Sequence, residues 1–263
     1  LEALQRDTQW DATVINPIGL PPVALGRYKP LAAAARNGHE FGFEIHRPIF
    51  RLLPKVGGRL NPRLIAKSVL PLARRLHADR PFDLVDAQFF YPDGPAAMII
   101  ARDLGLPFSV KARGADIHHW GARAYGREAL LETAREATGV LAVCEALAED
   151  MATLGMEREK ITVHYTGLDR DLFRPLDHLG LRARLTNTFS VPIAKDDLLL
   201  VTVGALIERK GQAFVIKALA DLPKARLLLV GKGEDETSLR ALAKEIGVAE
   251  RVHFLGSLAP SML

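Results

Sequence analysis

LLLVTVGALIERKGQAFVIKALADLPKARLLLVGKGEDETSLRALAKEIGVAERVHFLG, residues Leu198–Gly256, holds two βα units in succession. An apolar run, Leu198–Val203, meets Gly204 and a short loop with Arg209, Lys210 and Gly211, and a helical pattern follows. A second apolar run, Leu227–Val230, ends in Gly231-Lys232-Gly233 and enters another helical pattern. Strand, glycine turn and helix in alternation are how α/β proteins build sites for phosphorylated ligands. Glycine lets the main chain approach an anion, and the following helix offers unpaired N–H groups and a positive dipole end. Arg209 and Lys210 add charge where a diphosphate would lie. Neither G-x-G-x-x-G nor G-x-x-x-x-G-K-[ST] is present, and Glu234, Asp235 and Glu236 oppose a pyrophosphate at the second turn. A plain turn with solvated charges is the competing reading.

The same alternation runs upstream. Strand-like runs occur near Ala12–Asn16, Phe41–His46, Asp83–Ala87, Phe108–Lys111, Gly139–Val143 and Lys160–Tyr165. Helical patterns at Asn61–Ala78, Gly94–Leu104, Tyr125–Ala137 and Glu145–Leu154 lie between them. This predicts a largely parallel, doubly wound sheet. Val140–Val143 and Leu198–Val203 read as strands covered on both faces. A polar stretch, Thr166–Asp177, divides the chain into a domain at 1–172 and a partial one at 173–263.

At 263 residues, 48% hydrophobic and 25% charged, the composition is that of a globular protein of one or two domains. No apolar run approaches the roughly 20 residues of a membrane span. A net charge of +4 without aromatic-basic interleaving gives no sign of nucleic-acid binding. The single cysteine, Cys144, excludes an internal disulfide and stands where a small N-capping residue belongs. No Cys/His spacing fits zinc. Asn61-Pro62 is a helix start with Asn61 as the cap, Pro71 is a candidate kink, and Ile65, Val69, Leu72 and Leu76 form an apolar stripe. Arg63, Lys67, Arg74 and Arg75 crowd elsewhere on that helix, with Lys55 and Arg59 upstream. Such a face either lies on anionic lipid or is simply solvated.

Several longer phrases are more specific. VGALIERKG (203–211), LLLVGKGEDETSLRALAKEIGVAERVHFLG (227–256) and ITVHYTGLDRDLFRP (161–175) resemble glycosyltransferase family 4. So do FDLVDAQFFYPDGPAAMIIARDLGLPFSVKARGADIHHW (82–120) and GVLAVCEALAEDMATLGMEREKITVHYTGLD (139–169), which resemble its acceptor-side domain and the approach to the interdomain linker. The resemblance implies an α/β protein of the GT-B fold: two Rossmann-like doubly wound domains, the second truncated here. It implies transfer of a sugar from a nucleotide-diphospho-sugar to a saccharide or lipid-linked acceptor, with retention, in polysaccharide or glycolipid assembly. The donor is a substrate, and neither cofactor nor metal is expected. An anionic membrane surface is a further expected partner, which places the enzyme in the cytoplasm at the inner face of the membrane.

The resemblance also assigns residues. Gly204, Arg209 and Lys210 would meet the donor phosphates. Gly231, Gly233, Phe254, Leu255 and Gly256 would line the nucleotide, and Arg113, Gly114, Asp116 and His118 the acceptor. Two departures stand out. Ala205 replaces an Arg that grips the donor phosphate, and Arg113 replaces the family's His. The family's opening strand and glycine loop, and its Glu-x7-Glu carboxylate pair, are expected to lie outside the chain, which starts at Leu1 and stops at Leu263. No catalytic residue is therefore assigned, and the chain alone is expected to be inactive. A GT-B nucleotide-sugar epimerase or phosphorylase, and a sugar-nucleotide-binding pseudoenzyme, are the alternatives; a nicotinamide dehydrogenase fits least.

Overall fold

The computed structural model describes residues 10–23, 26, 28–40, 42–53, 57–175 and 180–262. Leu1, Phe41, Lys55, Asp177 and Leu263, named above, lie outside the described residues. The chain forms two compact units, Leu1–Thr166 and Gly167–Leu263.

The first unit opens with short strands: β1 (Val14–Ile15), β2 (Ile18–Leu20), β3 (Gly38–Glu40), β4 (Phe43–His46) and β5 (Ile49–Arg51). β1 and β3 flank β4, and β2 pairs β5; all run parallel except β3 with β4. Helix α1 (Tyr28–Ala34) lies among them, and α2 (Asn61–Asp79) follows. The main sheet is parallel, in the order β6 (Val85–Ala87), β7 (Phe108–Ala112), β8 (Gly139–Ala142), β9 (Ile161–Val163). Between these strands run α3 (Asp93–Leu104), α4 (Ala115–Gly121), α5 (Ala124–Glu136) and α6 (Glu145–Leu154). Phe108, Val110 and Ala112 join one core with Met98 and Ala101 of α3, Leu130 and Ala134 of α5, and Leu147 and Met151 of α6. The alternation along β7 sends Ser109 and Lys111 to the opposite face, beside Asp86, Leu141 and Thr162.

One expectation changes here. Helix α2 begins at Asn61 itself; Leu60 holds the cap position, and the Asn61 Oδ1 is buried without a partner. The helix continues through Pro71, which is exposed. Asp116 and His118 lie on a seven-residue helix, α4, which the sequence patterns did not mark. Cys144 does stand at the N-cap of α6, yet no side-chain capping bond forms there.

The second unit holds α7 (Leu181–Phe189) and a parallel sheet of β10 (Leu198–Val203), β11 (Ala225–Val230) and β12 (Val252–Gly256), in that order. Helices α8 (Gln212–Ala218) and α9 (Glu236–Glu245) connect them. Leu206, Ile216, Leu219, Leu227 and Leu229 form the core. Within the described residues β10 stands at the end of the strand order, with Leu198, Val201 and Val203 50–58% exposed, whereas β11 is buried along most of its length. Apolar composition marks a parallel strand but does not place it in the sheet.

The turns after β10 and β11 lie main chain on main chain. A Cβ at Gly231 would stand 1.9 Å from the Gly204 carbonyl oxygen, and one at Gly233 2.0 Å from that of Leu206. Hydrogen bonds lace the contact: Gly204 N–H to Val230 O (2.9 Å), Leu206 N–H to Lys232 O (3.1 Å) and Asp235 N–H to Leu206 O (3.0 Å). Only glycine permits this approach.

Gly233→Ala must therefore part the two turns. It is expected to cost roughly 2–4 kcal/mol in urea denaturation. Gly247→Ala, where φ is +74° and nothing lies within 4 Å, should cost about 1 kcal/mol. Equal midpoints for the two variants would refute the contact.

In the first unit, the Asp93 carboxyl is pushed up from 3.8 to about 6, by burial first and by Asp116 second. Its place in the first turn of α3 favours the charged form by about 0.3–1 kcal/mol, and burial outweighs that. With the folded value above the unfolded one, stability falls as pH rises from about 4 to about 6. Asp93→Asn should raise stability by roughly 2–3 kcal/mol at pH 8 and little at pH 4. A melting-temperature gain that does not depend on pH would rule out this assignment.

Candidate functional site

In the second unit the donor-side candidates gather at one edge. Gly204 follows β10, Gly231 follows β11 and Gly256 closes β12, so three neighbouring parallel strands end in glycines with φ of 153°, 138° and 70°. The C-terminal edge of such a sheet is where open α/β folds take ligands. Lys210 closes the short turn Glu208–Lys210, and its Cε lies 3.9 Å from where a Cβ would stand on Gly204. The Lys232 Cε lies 3.7 Å from the same point on Gly256. Arg209, Lys210 and Lys232 are exposed, and among the described residues none has a side-chain hydrogen bond or ion pair. Gln212, 4% exposed, donates to Ala205 O at 2.9 Å and ties the loop to α8.

The remaining nucleotide-side candidates separate. Gly233 is packed under Leu206, so its backbone demand is explained by the turn contact alone. Phe254 faces the helices, with the Arg240 guanidinium 4.0 Å from its ring centroid. Leu255 sits where the β11–β12 register slips, between Phe254 and Gly256. The edge thus offers main chain and ammonium groups, with no aromatic platform among these residues.

In the first unit, Arg113 and Gly114 (φ 109°) follow β7, and Asp116 and His118 lie on α4. Asp116 is fully buried. Its carboxylate accepts from the Phe90 N–H at 2.7 Å and the Arg113 N–H at 3.0 Å, joining the loops after β6 and β7. The simple Arg113–Asp116 side-chain pair is not formed. The Arg113 guanidinium turns instead to Gln88, with Nε on its carbonyl oxygen (2.6 Å) and Nη2 on its Oε1 (2.8 Å). His118 pairs with Asp150 at 2.9 Å on the surface, and His119 meets the Trp120 ring edge-on.

The sequence reading missed Gln88, Asp86, Lys111 and His164. Lys111 is 5% exposed, and its Nζ lies 3.0 Å from the His164 Nδ1. The signal was available: a lysine inside FSVKA, an otherwise apolar strand, has to reach a partner. Among the described residues no cluster of His, Cys, Asp and Glu could hold a metal ion.

Comparison with known proteins places these observations. The model of Glycosyltransferase Family 4 matches residues 23–172, and that of Glycosyl transferases group 1 matches residues 184–263. The chain is 34% identical over 111 residues to the lipopolysaccharide core biosynthesis glycosyltransferase LpsE of Rhizobium meliloti, covering 42% of this chain and 29% of that protein. It is 27% identical over 241 residues to TuaC of Bacillus subtilis, a glycosyltransferase assigned to teichuronic acid biosynthesis, covering 87% and 59%. The chain therefore spans less than two thirds of either relative. Among solved structures, Anabaena HepE with UDP-glucose superposes with a TM-score of 0.67 at 20% identity, over 94% of this chain and 63% of that one. Sucrose-phosphate synthase of Thermosynechococcus elongatus gives 0.67 at 16%, over 95% and 71%. At these identities the likeness establishes the GT-B fold. With the family match spanning 23–172 and the same class of enzyme matched over the rest, the chain belongs to glycosyltransferase family 4.

Proposed function

We propose that this chain is the body of a retaining glycosyltransferase that moves a sugar from a nucleotide-diphospho-sugar to a saccharide or lipid-linked acceptor in cell-surface polysaccharide or lipopolysaccharide assembly. The observation that carries the reading is the glycine-built edge of the second unit, with Lys210 laid over Gly204 and Arg209 and Lys210 free of ion pairs. As the donor bond breaks, negative charge grows on the β-phosphate oxygen. Positioned cations and main-chain N–H groups stabilise that charge without a metal ion. With Ala205 in place of the family's Arg, Lys210 and Arg209 carry the task. The names of LpsE and TuaC point to cell-surface glycans, and HepE, solved with UDP-glucose, points to a uridine donor. In the acceptor unit Asp116 is a positioning residue, since its oxygens are spent on main-chain amides. In retaining transfer the donor phosphate can itself take the acceptor proton, which leaves no side-chain base to find.

The domains on this reading are 1–172 for the acceptor and 173–263 for the donor. Among the described residues no helix is long and apolar enough to cross a membrane. We place the enzyme in the cytoplasm, held to the inner leaflet by α2. Arg63, Lys67 and Arg75 are exposed there, whereas Arg74 forms a bidentate pair with Asp103. Arg74 is therefore the least available of the four for lipid.

Two measurements test this. Lys210→Ala should weaken UDP binding by roughly 10- to 100-fold, the loss of one charge-assisted contact. Calorimetry showing unchanged affinity would remove Lys210 from the site. Sedimentation with phosphatidylglycerol-containing vesicles should show binding that falls with salt and with Arg63→Glu, Lys67→Glu or Arg75→Glu, and less with Arg74→Glu. Equal recovery on neutral vesicles would mean that the face is only solvated.

A further inference from the structure

One face of the main sheet breaks the rule for parallel strands. Such sheets are apolar on both sides. Here the face opposite the core carries Asp86, Ser109, Lys111 and Thr162, with Gln88, Arg113 and His164 just beyond the strand ends. Lys111 and Arg113 stand two residues apart at the end of β7, so they share this face.

Among the described residues neither cation is bonded to a carboxylate. The Lys111 ammonium lies 3.0 Å from the His164 imidazole Nδ1, and for it to donate there the ring nitrogen must be unprotonated. The Arg113 guanidinium is fixed by two oxygens of Gln88, a carbonyl and an amide, and its Nη1 has no partner. Asp86 is the carboxylate that acts on Lys111, and its two oxygens already accept from the Ser109 hydroxyl and the Gln88 amide. Asp116, the nearest acid along the chain, is buried and bonded to main-chain amides. Two positive groups two residues apart are thus each fixed by a partner, with N–H donors left over among the described residues. Burial, and then the charge of Arg113, hold the Lys111 amine below its ordinary value, against a pull from Asp86. A single oxyanion would satisfy the spare donors and relieve the repulsion at once.

We infer that Lys111 and Arg113 seat an oxyanion borne by the acceptor, a sugar carboxylate or a sugar phosphate, so that the enzyme selects acidic acceptors. The word acceptor rests on the transferase reading; the anion seat does not.

The test is titration of the 263-residue chain with glucuronate, glucose 6-phosphate and glucose, followed by calorimetry, with UDP titrated separately. Either or both acidic sugars should bind at least about tenfold more tightly than glucose, and binding should weaken with added salt. The stronger of the two tells carboxylate from phosphate. Lys111→Met and Arg113→Gln should each reduce acidic-sugar binding by about tenfold or more and leave UDP binding unchanged. Lys111→Met removes a buried charge, and Arg113→Gln changes an exposed position, so at least one variant remains folded for the comparison; circular dichroism checks this. Glucose binding as tightly as both acidic sugars, no binding of either, or binding that survives Arg113→Gln and Lys111→Met would overturn the inference. Acidic-sugar binding without UDP binding would instead overturn the transferase reading and leave the anion seat standing.

Discussion

The second unit depends on a contact between two stretches of main chain. Gly231 and Gly233 lie directly on the carbonyls of Gly204 and Leu206, and the Gly204, Leu206 and Asp235 amides bond across the join. The contact removes two turns from independent motion and fixes where three strands end. It also bonds carbonyls that would otherwise face solvent or a ligand. The cations can then approach the edge along their alkyl chains, as Lys210 does over Gly204 and Lys232 over Gly256. A side chain at Gly231 or Gly233 would destroy the spacing before it changed any charge.

The first unit solves a similar problem with a side chain. Its two loops, after β6 and β7, are tied by the Asp116 carboxylate accepting from Phe90 and Arg113. Hydrogen bonds to a carboxylate are worth more than those between neutral groups, about 1.5–3 kcal/mol, and burial raises the cost of losing one. Arg113 gains a fixed direction from this, since its main-chain N–H is pinned while its guanidinium is spread on Gln88. Asp93 shows a cost of the arrangement: burial first, and the Asp116 carboxyl second, drive it toward its neutral form.

The alternation of strands and helices was legible because apolar runs and glycine turns are local signals. Glu145–Leu154 was read to the residue, and Asn61–Ala78 to within one. The short strands Ile18–Leu20, Gly38–Glu40 and Ile49–Arg51 were not, since two or three residues carry no period. Helix α4 was missed because ADIHHWG has no apolar stripe and starts from a glycine. The exposed position of β10 was hidden for another reason: strand order is a tertiary property, and an edge strand can have the composition of an inner one. At the candidate site, glycines and basic residues were readable as types, while their partners were not. Nothing local announces that Gln88 will hold Arg113, or that His164, 53 residues on, will meet Lys111.

The two edges are built from different materials, and that difference bears on what each can vary. The edge of the second unit is made of main chain, with cations on side chains that have no hydrogen-bond or ion-pair partners among the described residues. A side chain without charge, as at Ala205, leaves this geometry intact because it rests on main-chain contacts and on the Gln212 amide bonded to the Ala205 carbonyl. Arg209 and Lys210 can then supply charge from a neighbouring position. The polar face of the first unit's main sheet is made of side chains that fix one another, Asp86 with Ser109, Gln88 with Arg113, His164 with Lys111. Changing one member of such a network strands its partner's hydrogen-bonding groups, so substitutions there must come in sets. The names of the two relatives differ in the same way, lipopolysaccharide core biosynthesis for LpsE and teichuronic acid biosynthesis for TuaC.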